Sequence, residues 1–111
     1  MSQFDDFIDG VKQGIAPLVG EFVGGLKQDA TTDMQAFLQA KAADLKTWTE
    51  ALAKGEISQG EFEMLVKGAK SLLKLRALRI AGVQAARLQR LRDAFVKLVI
   101  DKAVGTFLPG A

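Results

Sequence analysis

From Gln59 to Phe107 the chain carries no proline and no cluster of turn-forming residues, while its apolar residues recur at helical spacing. The simplest reading is one uninterrupted helix over about 59–107, about 70 Å long at 1.5 Å per residue. Two apolar strips run along it. Phe62, Leu65, Val66, Ala69, Leu73, Ile80, Leu91 and Leu98 form the first, and Met64, Leu75, Leu78, Ala85, Ala86, Val96, Ile100, Val104 and Phe107 lie roughly opposite. A helix that is apolar on two sides requires protein on both, or lipid on one. The expectation is therefore self-assembly, with Met64, Leu75, Leu78, Ala85, Val96, Ile100, Val104 and Phe107 as the interface that another copy covers. The rival arrangement breaks the helix near Gly82 and closes a compact four-helix bundle. Ala81-Gly82-Val83 has no Pro, Asn, Asp or Ser beside it, and one interior glycine costs only about 1 kcal/mol, so continuity is the reading preferred.

The rest of the chain is helical in pattern too, which makes the class all-α. Phe4, Phe7, Ile8, Val11, Ile15, Leu18, Val19, Phe22 and Leu26 share one side of a helical projection and predict an amphipathic helix over about 3–26. Its other side holds Gly10, Gly14, Pro17, Gly20 and Gly24, all poor helix formers, so the helix depends on a partner for its apolar stripe. A polar break at 28–32 follows, with Thr32 as the expected cap of a second helix over about 33–54. Within it Met34, Leu38, Leu45, Trp48 and Leu52 keep a coiled-coil spacing that only Lys41 interrupts. In a single domain spanning 1–111, the two shorter helices would lie end to end along the long one.

Gly55 stands where a helix ends in a left-handed residue. Ser58 and Glu61 have the spacing of a capping box, and Ile57 and Phe62 occupy the two staple positions, so a tight turn between antiparallel helices is predicted. With Trp48 and Leu52 before it and Phe62, Leu65 and Leu72 after it, this stretch resembles the short SHOCT-type helical hairpin over about residues 48–73. The resemblance implies association with other protein and no chemistry.

Residues 67–92 carry Lys67, Lys70, Lys74, Arg76, Arg79, Arg87, Arg90 and Arg92 and no carboxylate. Residues 1–66 hold 11 acids and 5 bases whereas 67–111 hold 2 acids and 10 bases, so the net charge of +2 conceals an acidic half and a basic half. The basic residues have three conceivable uses: a solvated helix surface, a match for Asp5, Asp6, Asp9, Glu21, Asp29 and Asp33 on a neighbouring subunit, or a track for nucleic-acid phosphates. No aromatic residue lies between Phe62 and Phe95, so unpaired bases would find no stacking platform there, and any nucleic-acid binding would be non-specific and phosphate-driven. A second alternative is membrane association through the first helix. It is weakened because Asp5, Asp6, Asp9 and Glu21 outnumber Lys12 and Lys27 on its polar face.

The chain has no Cys, His or Tyr, which removes disulfides and thiolate or imidazole metal sites. Ser2, Ser58 and Ser71 have no histidine to activate them. Gly20 to Lys27 has P-loop glycine spacing but ends Leu-Lys, with no strand before it, and the 55–62 turn lacks the ligands of an EF-hand. Asp5, Asp6 and Asp9 suit the charge at a helix N-terminus. No catalytic residue, cofactor, metal or small-molecule substrate is expected. An acidic N-terminus and the lack of a long uncharged apolar run predict neither signal peptide nor transmembrane helix, hence synthesis in the cytoplasm with later incorporation into a particle or appendage compatible with it. The expected function is that of a non-catalytic, self-assembling subunit of a homo-oligomer, filament, coat or larger phage-like or secretion-type machine. Non-specific nucleic-acid binding is the alternative.

Overall fold

The computed structural model describes residues 2–108, and of residues 22–24 the backbone alone; every regular element among them is helical. In chain order these are α1 (Gln3–Val23), α2 (Lys27–Ala40), α3 (Ala42–Ala53), α4 (Gln59–Ala69), α5 (Arg76–Ile80) and α6 (Ala85–Phe107), with 3₁₀ turns at Gly24–Leu26 and Lys70–Leu72. The Phe22 side chain lies outside the described residues.

Helix α1 forms despite its glycines because Phe7, Val11, Ile15 and Val19, four residues apart, make a single ridge that is wholly buried. That ridge packs on α6, whose Leu88, Leu91, Phe95, Val99, Ala103 and Phe107 repeat at three- and four-residue intervals and are buried as well. Phe7 meets Phe107 edge-on with ring centroids 5.9 Å apart. Part of the glycine side of α1 now has a reason, since a methyl group on Gly14 would sit 2.7 Å from Leu98 Cδ1. Helix α6 is the axis of the molecule. Helices α1, α3 and α4 and the 70–72 turn all contact it.

The second helix begins earlier than its sequence suggests. Thr32 is no cap; it lies inside α2, where its hydroxyl donates to the Gln28 carbonyl at 2.9 Å. Burial of Ala30 explains the shift, because extending α2 back to Lys27 lays it against α1. The chain is therefore folded side by side there, not end to end. Lys41 separates α2 from α3, and its ammonium pairs with Asp44 at 3.2 Å.

The turn between α3 and α4 matches its sequence chemistry. Ser58 Oγ accepts from the Glu61 amide at 3.1 Å while Glu61 Oε1 accepts from the Ser58 amide at 2.9 Å. Gly55 is left-handed at φ +75°, and the Gly55 and Glu56 amides donate to the carbonyls of Leu52 and Ala51, the two bonds of a Schellman cap.

The uninterrupted helix over 59–107 does not form. After the 3₁₀ turn Leu73 is extended, α5 lasts five residues, Gly82 turns left-handed at φ +91°, and Gln84 is extended before α6 begins. Gly82 closes α5 with the same cap as Gly55: its amide donates to Arg79 O at 3.1 Å and that of Val83 to Leu78 O at 3.0 Å. Burial supplies the driving force. Leu75, Leu78, Val96, Ile100 and Phe107, all from the strip assigned to assembly, are buried in the chain's own core. At about 1.5–3 kcal/mol apiece, they outweigh the few helical hydrogen bonds given up, each worth about 1 kcal/mol. The described residues measure 43 × 26 × 24 Å with a radius of gyration of 14.0 Å, close to the roughly 13 Å of a compact domain this long.

Candidate functional site: a cationic cleft

The break in the helix also gathers charge. Around Leu73 the backbone is near-extended, so alternate side chains face opposite ways; burying Leu73 and Leu75 turns Lys74 and Arg76 outward. Arg79 follows three residues after Arg76 and shares its side of α5. Arg92 reaches across from α6, where its Nε donates to the Leu73 carbonyl at 3.1 Å, satisfying an acceptor that the broken helix leaves free. Lys74, Arg76, Arg79 and Arg92, with Ser71 at the rim and Leu73 and Leu75 as floor, line a cleft of about 260 Å³.

Two of the eight basic residues in 67–92 are ion-paired. Lys70 Nζ lies 2.7 Å from Asp93 Oδ1 and Lys67 Nζ 3.8 Å from Glu63 Oε1. The hydrogen bond from Lys70 holds the Asp93 carboxyl below its ordinary pKa, helped by the Lys70 charge and by Gln89. Lys74, Arg76, Arg79, Arg87, Arg90 and Arg92 make no ion pair among the described residues. Arg87 and Arg90 are exposed on the opening turns of α6, where the helix dipole disfavours cations. Asp33 on α2 is near enough to Arg76 to feel its charge, yet burial first, then Asp29, pushes its carboxyl upward, and its Oδ2 is buried without a hydrogen-bond partner.

The residues assigned to an assembly interface do not form one surface. Leu75, Leu78, Val96, Ile100 and Phe107 are buried, Val104 is half-buried, and only Met64 and Ala85 are exposed. Large apolar side chains do remain outside: Met64 at 72% exposure, Leu65 at 38%, Leu72 at 49% and Ile80 at 88%. Ser58 and Glu61 form the capping box of α4. The cleft was signalled by Leu73-Lys74-Leu75-Arg76, whose alternation is strand-like and misplaced in a helix. The Arg92 bond to Leu73 had no such signal, because it joins residues 19 apart.

Among the described residues no helix is long and apolar enough to cross a membrane, and no three His, Cys, Asp or Glu side chains come together as metal ligands would. No family model, curated protein or solved structure matches the chain.

Proposed function

We propose that this is a non-catalytic interaction protein that binds a phosphate polyanion such as nucleic acid through the cations of residues 74–92. The observation that carries the reading is the set of six cations within 74–92 that lack an ion pair among the described residues, four of them around one cleft. A polyanion would supply the missing counter-charge and gain entropy by releasing its own counterions. The non-catalytic part of the reading rests on residue chemistry: the chain has no His or Cys, and the Ser58 hydroxyl is engaged in a cap. A mobility-shift titration of a short DNA duplex tests the reading. Affinity should fall steeply as salt rises, and absence of binding to this duplex and to a shorter phosphate polyanion at about 50 mM salt would overturn it.

Self-assembly is the second reading, moved to a different surface. Met64, Leu65 and Leu72 lie exposed on and just after α4, within the stretch that resembles an association hairpin. Homo-oligomer, filament, coat or subunit of a larger machine all belong to this reading, and a 12.0 kDa species that persists at high concentration speaks against each.

A further inference from the structure

We infer that the cleft is a seat that prefers an oligophosphate group carrying three or more negative charges over a single phosphodiester; the inference deepens the polyanion reading and rests on it. The argument is one of charge density. Lys74, Arg76, Arg79 and Arg92 place four formal positive charges around a recess of about 260 Å³. A phosphodiester brings a single negative charge and would leave three of those cations facing one another. Three of these cations come from a six-residue span and the fourth reaches in from another helix, so all four border one recess.

The mutual repulsion persists in the free chain because burial of Leu73, Leu75 and Leu78 dictates the path of the backbone that carries the charges. Asp33 is close enough to act on Arg76, and among the described residues the two make no ion pair. The donors suit a chain of phosphates. Three guanidinium groups offer paired N–H donors to non-bridging oxygens, Lys74 adds a point charge, and the Ser71 hydroxyl adds one donor at the rim. Arg92 is held in place beforehand by its Nε bond to Leu73, which leaves its terminal amino groups free and lowers the ordering cost of binding.

Sodium tripolyphosphate, titrated into the full chain by calorimetry and followed by NMR, is the probe. Tripolyphosphate should bind about tenfold or more tightly than orthophosphate, shifting the Arg92 Nε resonance and the amides of 71–79. Lys74 and Arg79 are exposed, so a Lys74→Gln/Arg79→Gln variant should keep its circular dichroism while losing affinity about tenfold; Lys67→Gln, outside the cleft, should change it less than about twofold. A second arm compares 5′-triphosphorylated with 5′-hydroxyl RNA. Preference for the triphosphate assigns the seat to a strand end, and equal binding assigns it to a free oligophosphate. Equal affinity for orthophosphate and tripolyphosphate, or an equal loss with Lys67→Gln, overturns the inference. If duplex DNA still binds while tripolyphosphate leaves the cleft resonances unmoved, only the oligophosphate seat falls; if neither binds, the polyanion reading falls with it.

Discussion

Gly82 shows how much one residue decides in this chain. At φ +91° it adopts a backbone that a Cβ disfavours, and with Val83 it caps α5 so that α6 can turn back into the core. Gly82→Ala should therefore lower stability by about 1–2 kcal/mol, read as a lower urea midpoint. Gly20→Ala should do the reverse and gain about 0.5–1 kcal/mol, because Gly20 is exposed inside α1 with no atom within 4 Å of the added methyl. Gly55 was legible in the sequence since a Ser cap and a staple stand beside it, whereas Gly82 stood out only as the break of the rival arrangement. Its own signal was quieter: an apolar Val83 placed to meet Leu78 across the cap, with Arg79 in the last turn. Asp33 carries a pH dependence. Burial raises its pKa, so the ionised carboxylate weakens the fold at neutral pH and protonation relieves that cost as pH falls through the raised value. Asp33→Asn should raise the urea midpoint at pH 7, with the advantage shrinking in acid. Asp93 has the opposite sign: its bond to Lys70 supports the fold above its ordinary pKa and is lost as pH drops through the depressed one.

Among the helices, α6 and the α3–α4 hairpin stand at opposite ends of legibility. The hairpin is built from bonds between residues three to five apart, so Ser58, Glu61 and Gly55 announced it. Ser58→Ala should cost about 1 kcal/mol, checked by thermal melting. The reach from α4 through α5 to α6 could not be read locally, because helix propensity alone favours continuity and only the burial of Leu73, Leu75 and Leu78 against other helices opposes it. Phe95 measures how far α6 sustains the core. It is fully buried, with its ring edge-on to Phe37 at 5.7 Å, and Phe95→Ala should remove about 3–5 kcal/mol, a large share of a small domain's stability. A melting temperature that hardly moved would contradict the central place of this helix.

At the scale of the whole molecule, a 43 Å body carries six unpaired cations within residues 74–92, a stretch without a carboxylate, while most of its acids belong to the first 66 residues. Light scattering over a concentration series should find one species of 12.0 kDa if the cationic cleft is the working surface. Growth with concentration that Met64→Lys abolishes would favour assembly through the outer face of α4 instead. The all-α class, the capped hairpin and the division of charge were settled by the sequence alone, since each depends on residue type or on neighbours a few positions away. Where the long C-terminal segment breaks, which of its two apolar strips is hidden, and that Arg92 meets Lys74, Arg76 and Arg79 around one cleft were decided by tertiary structure. The physical reason is that burial is non-local: an apolar strip calls for a cover, but spacing along the chain does not say whether another copy or the chain's own fold provides it.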